Sequence, residues 1–232
     1  MKAFLLAAGF GTRLRPLTET TAKCMVPING IPLLEYWFRL LQKHRVSEFL
    51  INTHHLREQV EEFVKAKAPE YSLKSRIVYE PQLIGSAGTI RENFDFVQEE
   101  EDFLILYADN LTNANLTTMV EFHERLKPTL TMGLTHMDKP ETRGIAEVDR
   151  DGRIVSFVEK PKLPKSDLAN AGIYVVSCEI EPYLRDAFDI GFDVLPQLAG
   201  KMCGFELNGY HRDIGSLDSL EAANREWPQV KG

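Results

Sequence analysis

The chain has 232 residues, enough for one sizeable domain or two small ones, and its 44% hydrophobic and 26% charged residues are ordinary for a globular protein. Its formal net charge of −7 argues against a nucleic-acid partner, and no apolar run approaches the roughly 20 residues of a membrane span. The N-terminus lacks a signal-peptide pattern, and Cys24, Cys178 and Cys203 are too few and too widely spaced for a disulfide framework or structural zinc. We therefore expect a cytoplasmic protein.

Strand and helix signals alternate through the first half of the chain. The pattern predicts strands at 2–8, 48–52, 75–80 and 103–107, and helices at 33–44, 56–66, 87–94 and 117–126. Such alternation implies right-handed crossovers and a Rossmann-like α/β fold, in which helices flank a mostly parallel sheet. Ligands bind at the carboxyl ends of the strands in sheets of this type, so the residues that follow the first and the last of these strands should lie at one rim.

Shorter strands dominate the second half of the chain. They are predicted at 129–137, 144–149, 154–159, 171–176 and 203–207, before a closing helix at 217–227. The dipeptide Asp151-Gly152 between two apolar runs indicates a hairpin. We interpret these strands as a small antiparallel extension over the same site, and therefore predict a single domain over 1–232.

The first predicted strand runs into a glycine loop that three cations follow. Gly9 and Gly11 lack a Cβ, so the backbone of this loop can approach an anion closely. The cations are Arg13, Arg15 and Lys23. Glycine loop and cations together indicate a site for a polyphosphate, to which Arg13 and Lys23 are assigned, whereas Arg15 is expected at the surface.

A dinucleotide-binding loop is the main alternative for this glycine pattern. It requires a third glycine, where this chain has Leu14, and an acidic residue at the end of the second strand, which here ends near Asn52-Thr53. Because both features are missing, we disfavour a dinucleotide site.

The segments 6–18 and 23–28 resemble the signature of the sugar-1-phosphate nucleotidylyltransferases. This chain reads Leu-Ala-Ala-Gly-Phe-Gly-Thr-Arg-Leu-Arg-Pro-Leu-Thr and then Lys-Cys-Met-Val-Pro-Ile, and departs from the family at Ala22 and Cys24, where proline is frequent. The resemblance extends from Lys2 to about Asn224. It implies that Arg13 and Lys23 are catalytic and that the nucleotide contacts Leu6, Ala7, Ala8, Gly9, Gly11 and Thr12.

The family reaction joins a nucleoside triphosphate to a sugar-1-phosphate, with pyrophosphate as the leaving group. Such transfer relies on positioning and on charge stabilisation, which a divalent metal and cations provide. The resemblance implies Mg²⁺ held by Asp109 in Tyr-Ala-Asp-Asn and by Asp213 in Asp-Ile-Gly-Ser, and Asp109 is counted as catalytic. Ala108, Ser216 and His211 stand where relatives often have glycine, threonine and tryptophan.

Two further motifs resemble the family's sugar-phosphate site. Glu159-Lys160-Pro161 and Asn170-Ala171-Gly172 occur at the family spacing. The resemblance implies that Glu159 and Asn170 bind sugar hydroxyls, that Lys160 binds the sugar phosphate and that Gly144 donates a backbone hydrogen bond. Arg212 is a weaker candidate for the phosphate. These motifs divide the predicted domain into a nucleotide-binding part, 1–127, and a sugar-phosphate-binding part, 128–232.

The segment 80–88 resembles the family's base-reading loop. Thymidylyl relatives have a glutamine five residues before the glycine equivalent to Gly85, and this chain has Glu80 there. An ionised carboxylate only accepts hydrogen bonds, which suits the two adjacent donors of guanine, although uracil N3–H remains open. Gln82 is the alternative reader, and Ser86 completes the nucleotide contacts. The best candidates are therefore GTP with mannose-1-phosphate or a manno-heptose-1-phosphate; uridylyl or thymidylyl transfer to glucose-1-phosphate or an amino-sugar phosphate is the alternative.

Two other interpretations remain open. A non-catalytic regulatory subunit of the same fold is disfavoured because the catalytic residue types are all present. Cytidylyl transfer to phosphocholine is disfavoured because choline has no hydroxyls for the Glu-Lys-Pro and Asn-Ala-Gly motifs to bind.

His54 and His55 are expected in a loop and not on a shared metal, whereas Trp37, Phe38 and Phe94 are expected in the core. The family's C-terminal β-helix is not expected, and the oligomeric state stays open, with a homodimer as one candidate.

Overall fold

The computed structural model describes residues 1–230. Its contacts divide the chain into two compact units built from interleaved segments. The first unit comprises Met1–Leu83, Leu106–Ala114 and the chain from Asn208 onward, and the second comprises Ile84–Ile105 and Asn115–Leu207. Neither unit is one continuous half of the chain, and the predicted single domain with its two parts stays a prediction.

The helices and strands follow one another along the chain as the alternating pattern predicts. The helices are α1 (Leu33–Lys43), α2 (Arg57–Lys67), α3 (Gly85–Glu92), α4 (Leu116–Leu126), α5 (Glu181–Leu184) and α6 (Leu217–Glu226). The strands are β1 (Lys2–Leu6), β2 (Pro27–Ile28), β3 (Ile31–Pro32), β4 (Glu48–Thr53), β5 (Lys74–Tyr79), β6 (Asp102–Tyr107), β7 (Asn110–Thr112), β8 (Leu130–His136), β9 (Gly144–Val148), β10 (Ile154–Glu159), β11 (Leu168–Ser177), β12 (Met202–Glu206) and β13 (His211–Asp213).

Parallel strands form the frame of the first unit. Strand β4 lies between β1 and β5 and pairs with both in parallel. Strands β1 and β4 are buried along almost their whole length, because helices cover parallel sheets on both faces and the strands are therefore apolar throughout. Helix α1 buries Trp37 and Phe38, which confirms their place in the core.

A short antiparallel ladder in the first unit joins two distant parts of the chain. Strand β13 pairs with β7 so that Asp213 lies opposite Asn110. Each strand has only three residues, too few for a recognisable alternation of apolar and polar side chains, and the sequence analysis missed both. This ladder brings the segment that carries Asp213 to the segment that follows Asp109.

The second unit is mainly antiparallel. Strand β11 pairs with β8 and β9, β9 pairs with β10, and β12 joins β8 in parallel. The register of β11 against β8 is interrupted between Asn170 and Tyr174, where the chain bulges. Helix α4 is capped by Asn115, whose side chain accepts a hydrogen bond from the Thr118 amide.

The predicted fold class is confirmed: a mixed, mostly parallel sheet is flanked by helices and accompanied by small antiparallel sheets. Strands β2, β3, β7 and β13 and the short helix α5 were not predicted, and three further details differ from the expectation. Helix α3 begins at Gly85 and not at residue 87, β11 is four residues longer than predicted, and Phe94 is only partly buried. Among residues 1–230, no helix combines the length and the apolar character needed to cross a bilayer.

Candidate functional site

The glycine loop after β1 is shaped by close contacts with Thr18 and Lys23. Gly11 has a φ of 65°, and its carbonyl accepts a hydrogen bond of 2.8 Å from Thr18 Oγ1. A Cβ at Gly11 would lie 2.8 Å from Thr18 Cγ2 and 3.2 Å from Lys23 Cβ. Glycine is therefore required here by backbone conformation and by space. The chain continues into a single 3₁₀ turn, Thr12–Leu14, and not into the long helix of a dinucleotide-binding loop.

A buried asparagine that the sequence analysis missed supports this loop. The Ala7 amide donates to Asn52 Oδ1 at 2.7 Å, and Asn52 Nδ2 donates to Glu80 Oε1 at 2.8 Å. Asn52 and Glu80 are 4% and 5% exposed. The Glu80 carboxylate therefore already has a partner inside the protein, and its role in base reading stays a prediction. Gln82, the alternative reader, is exposed.

Lys23 and Asp109 meet in the first unit, as expected for residues at one rim of a sheet. Lys23 Nζ donates to Asp109 Oδ2 at 2.5 Å. Asp109 follows β6, and the Ala108 amide donates to the Leu6 carbonyl at 3.0 Å, which aligns this segment with the end of β1. The side chains of Lys23 and Asp109 are 13% and 27% exposed, so the pair is shielded but accessible.

Arg13 and Asp213 both adjoin Gly215. A Cβ at Gly215 would clash with Asp213 Oδ1 and would lie 2.8 Å from Arg13 Nη2. The Ile214 amide donates to the Asp109 carbonyl at 2.8 Å, so the backbones that carry the two predicted metal ligands are in contact. The glycine of the Asp-Ile-Gly segment thus makes room for a carboxylate and a guanidinium.

The donor set fits a hard divalent cation. Asp109 and Asp213 provide two carboxylates on neighbouring segments, and Mg²⁺ prefers one or two carboxylates supplemented by water and phosphate oxygens. Within residues 1–230, no three His, Cys, Asp or Glu side chains are grouped as a ready-made cage. His54 and His55 bond to different backbone carbonyls, those of Glu80 and Thr18.

In the second unit, the carboxylate of Glu159, which is predicted to bind the sugar, lies beside Gly144 of the neighbouring strand. Glu159 at the end of β10 is opposite Gly144 at the start of β9, and a Cβ at Gly144 would clash with Glu159 Oε2 and with Phe157. Burial raises the pKa of Glu159; Lys160 lowers it, the charge of Asp189 raises it, and Arg143 lowers it. The carboxylate is therefore easier to protonate than an exposed one.

The two neighbouring motif residues are also held by specific contacts. Asn170 Oδ1 accepts from the Gly172 amide at 2.9 Å, and Asn170 Nδ2 donates to the Tyr174 hydroxyl at 2.6 Å, across the bulge of β11. Lys160 is exposed and has a φ of 49°, and its ammonium lies 5.6 Å from the centre of the Phe192 ring. The Asn-Ala-Gly motif therefore lies in the bulge of β11 and also provides the amide side chain of Asn170.

Gly85 and Ser86 also belong to the second unit, at the start of α3. A Cβ at Gly85 would overlap the Phe188 carbonyl, and the Ala87 amide donates to that carbonyl at 3.1 Å. Ser86 Oγ donates to Asp189 Oδ2 at 3.0 Å. The segment around Asp189 carried no motif in the sequence analysis, and its contacts appear only in the tertiary structure.

Arg212 is engaged inside the first unit. Its guanidinium pairs with Glu226 at 2.8 Å and donates to the Tyr210 hydroxyl, also at 2.8 Å. Its predicted contact with the sugar phosphate stays a prediction, and this pairing gives the arginine a structural partner. Arg15 is exposed, as expected.

Two groups of candidate residues are thus assembled, one in each unit. In the first unit the glycine loop, Arg13, Lys23, Asp109 and Asp213 are linked by the contacts described above. In the second unit the contacts join Gly144 to Glu159 and the Gly85-Ser86 turn to Phe188 and Asp189. The first group presents cations and carboxylates suited to phosphates and a metal, and the second presents carboxylate, amide and ammonium groups suited to a polar, phosphorylated ligand.

Comparison with known proteins agrees with this arrangement. The family model described as nucleotidyl transferase matches residues 2–229. The chain is 33% identical over its whole length to a UTP–glucose-1-phosphate uridylyltransferase from Synechocystis sp., and 30% identical over 93% of its length to a mannose-1-phosphate guanylyltransferase catalytic subunit beta from Danio rerio. It spans 63% and 61% of the length of these two proteins.

A solved structure shares the fold. A putative glucose-1-phosphate thymidylyltransferase from Bacillus anthracis superposes with a TM-score of 0.89 and 24% identity, covering all of this chain and 97% of that one. The match of the family model to nearly every residue, on a fold that places Lys23 against Asp109 beside the glycine loop, leads to one conclusion: this chain belongs to the nucleotidyl transferase family.

Proposed function

We propose that this protein transfers a nucleoside monophosphate from a nucleoside triphosphate to a sugar-1-phosphate, releasing pyrophosphate and forming a nucleoside-diphosphate sugar. The observation that carries the proposal is the contact of Lys23 with Asp109 beside a glycine loop. Arg13 follows that loop, and its guanidinium adjoins Gly215, two residues after Asp213. Relatives named for uridylyl, guanylyl and thymidylyl transfer to sugar-1-phosphates support this reaction class.

The first group of residues binds the triphosphate in this proposal. The backbone amides of the glycine loop approach the phosphates, while Arg13 and Lys23 neutralise their charge. Asp109 and Asp213 would hold Mg²⁺, and the ion would supply positive charge to the phosphate oxygens and to the leaving pyrophosphate. Lys23, held by Asp109, is oriented before substrate binds, so little reorganisation is needed during the reaction.

The second group binds the sugar-1-phosphate. Glu159 and Asn170 bind hydroxyls of the sugar, because a carboxylate accepts hydrogen bonds and an amide both donates and accepts. Lys160 receives the phosphate, and Gly144 leaves room for the Glu159 carboxylate and presents its own backbone amide. Binding by several fixed groups holds the attacking phosphate oxygen in position, and such positioning supplies much of the catalysis in transfers of this kind.

We infer that GTP is the nucleotide and that mannose-1-phosphate or a manno-heptose-1-phosphate is the acceptor. Glu80 favours GTP, because its carboxylate suits the paired donors of guanine. Uridylyl or thymidylyl transfer to glucose-1-phosphate or an amino-sugar phosphate is the second candidate, favoured by the 33% identity to the Synechocystis uridylyltransferase. The cytoplasmic location and a homodimer remain predictions.

The test is pyrophosphate release in the presence of Mg²⁺. GTP, UTP, dTTP, CTP and ATP are each combined with mannose-, glucose- and heptose-1-phosphates, and each reaction is repeated with EDTA. Turnover with one pair that EDTA abolishes would support the proposal and identify both substrates. Nucleotide binding without turnover for any pair would contradict it and favour the regulatory subunit.

A further inference from the structure

Within the second unit, residues 188–192 contact residues that are candidates for binding the nucleotide and residues that are candidates for binding the sugar-1-phosphate. The Phe188 carbonyl lies against Gly85, and Asp189 accepts the hydrogen bond of Ser86. Gly191 packs beside the Glu159 carboxylate. This short segment had no role in the sequence analysis, yet it adjoins a predicted nucleotide-binding turn and a predicted sugar-binding side chain.

Asp189 is the centre of these contacts. Its Oδ2 accepts from Ser86 Oγ at 3.0 Å, and its Oδ1 accepts from the Phe192 amide at 3.0 Å. Ser86 Oγ in turn accepts from the Ile190 amide at 2.8 Å. The Ser86 hydroxyl must therefore donate to Asp189, because its acceptor side faces a backbone N–H group. The carboxylate thus determines how this side chain of the Gly85-Ser86 turn is oriented.

The same carboxylate adjoins Glu159. A Cβ at Gly191 would lie 3.0 Å from Glu159 Oε2 and 3.2 Å from Asp189 Oδ1, so the two carboxylates flank the same glycine. A side chain at position 191 would push one of them aside. Because Gly191 has no side chain, Asp189 can contact the Gly85-Ser86 turn and also lie near the Glu159 carboxylate.

We propose that Asp189 is a positioning residue that orients Ser86 and sets the electrostatic environment of Glu159, so that one side chain coordinates the binding of the nucleotide and of the sugar-1-phosphate. This inference rests on the proposed function, because that function assigns Ser86 and Glu159 to the two substrates. Asp189 itself contacts Ser86 and the segment's backbone, and acts on both substrates through its neighbours.

Electrostatics supports this role. Three charged neighbours act on Glu159: Lys160 and Arg143 lower its pKa, and Asp189 raises it in the same direction as burial. Asp189 also accepts the hydrogen bond of Ser86 in the Gly85-Ser86 turn. Removing its charge while keeping its size should lower the pKa of Glu159, an effect that loss of packing alone would not produce.

The experiment compares the full chain with its Asp189→Asn variant. Asparagine keeps an acceptor for the Phe192 amide but presents an NH₂ group to Ser86, so the Ser86 hydroxyl can no longer donate to this side chain. We expect KM to rise about fivefold for both the nucleoside triphosphate and the sugar-1-phosphate, which corresponds to the loss of one hydrogen bond, with a smaller change in kcat. The control is Asp186→Asn, an exposed acid three residues earlier, for which both KM values should stay at the wild-type level.

The second readout does not depend on turnover. The Glu159 carboxyl is titrated by NMR in protein with ¹³C-labelled glutamate, with the resonance assigned by Glu159→Gln. We expect the titration midpoint to move to lower pH in Asp189→Asn and to stay unchanged in Asp186→Asn. If Asp189→Asn does not fold, Asp189→Ser replaces it, because serine also caps the following turn and carries no charge.

A lower midpoint together with a rise in both KM values supports the inference. An unchanged midpoint, or a rise in only one KM, overturns it. If the wild-type chain turns over no substrate pair, the proposed function fails. The titration then stands by itself: a lower midpoint in the variant upholds the action of Asp189 on Glu159, and an unchanged one refutes it.

Discussion

Lys23 and Asp109 are 86 positions apart in the sequence and form a hydrogen-bonded ion pair with Nζ and Oδ2 separated by 2.5 Å. Both side chains are largely shielded from water, and each neutralises the other. A metal or a phosphate that binds here must share one of these two charges. The pair therefore connects a lysine proposed to bind phosphate with a carboxylate proposed to hold metal.

Replacing Asp109 by asparagine should abolish turnover and leave the fold intact. The substitution keeps the size of the side chain but removes the charge that would hold Mg²⁺ and orient Lys23, so we expect kcat/KM for pyrophosphate release to fall at least about 100-fold. Circular dichroism and thermal unfolding check the fold. Asp151→Asn, in an exposed turn, is the control and should retain activity. Near-normal turnover in Asp109→Asn would remove the metal assignment.

Lys23→Met separates the charge of this lysine from its packing. Methionine keeps an aliphatic stem against Gly11, whose Cα faces the Lys23 Cβ and Cγ, but lacks the ammonium. We expect kcat to fall by about 100-fold, comparable to the loss of one preorganised charged group, while the melting temperature stays close to that of the wild type. Lys43→Met, on the exposed end of α1, provides the comparison. Equal activity in the two variants would show that the Lys23 charge has no catalytic role.

Glu80→Gln tests the choice of base. A glutamine presents a donor as well as an acceptor, so the purely accepting carboxylate that suits guanine is lost. In a competition assay with equal GTP and dTTP, we expect the preference for GTP to fall about tenfold, the value of one hydrogen bond to a charged group.

Asn52→Ala is the companion variant, because Asn52 holds both Ala7 and Glu80. It should weaken binding of all nucleotides, because Ala7 in the glycine loop loses its partner, and it should also lower the preference for GTP, because Glu80 loses its partner. An unchanged preference in Glu80→Gln would transfer base reading to another residue, with Gln82 the first to examine.

Gly144→Ala should destabilise the protein. The added methyl group would clash with the Glu159 carboxylate and the Phe157 ring, and overpacking of this kind costs about 1–3 kcal/mol. Urea unfolding measures the loss. In a Phe157→Ala background the same substitution should cost less, because one of the two clashing groups is gone. Equal costs in both backgrounds would place the clash elsewhere.

The raised pKa of Glu159 predicts a pH-dependent cost in stability. Below the ordinary value of 4.5, folded and unfolded chains both carry the proton and the group costs nothing. As the pH rises above 4.5 the unfolded chain releases the proton first, so the folded state is progressively destabilised until the folded pKa is passed. Glu159→Gln removes this cost.

The variant should therefore be more stable than the wild type at pH 7.5 and should lose that advantage at pH 4, while binding the sugar-1-phosphate more weakly. Thermal unfolding at both pH values measures the difference, and Glu141→Gln, an exposed glutamate, should show none. A variant that is less stable than the wild type at pH 7.5 would contradict the role of burial.

Local patterns were sufficient for the order of the longer strands and helices. The apolar run before Gly9 predicts β1, and the alternation of strands and helices predicts a mostly parallel sheet, because both depend on neighbouring residues along the chain. The motifs at Glu159 and Asn170 were recognised instead by their resemblance to those of the nucleotidylyltransferase family.

Short or indirect features were not predictable. Strands β7 and β13 have three residues each and form only because they pair with one another. Asn52 and Asp189 lie in segments without a motif, and their roles arise from partners 28 to 103 positions away.

The sequence by itself thus determined the fold class, the glycine loop and the chemical types of the site residues. Only the tertiary structure decided that Lys23 bonds to Asp109, that Arg13 and Asp213 both adjoin Gly215, and that Arg212 pairs with Glu226. The physical reason is that backbone conformation and hydrophobic periodicity act over a few residues, whereas hydrogen bonds and ion pairs between distant side chains exist only once the packed chain brings them together.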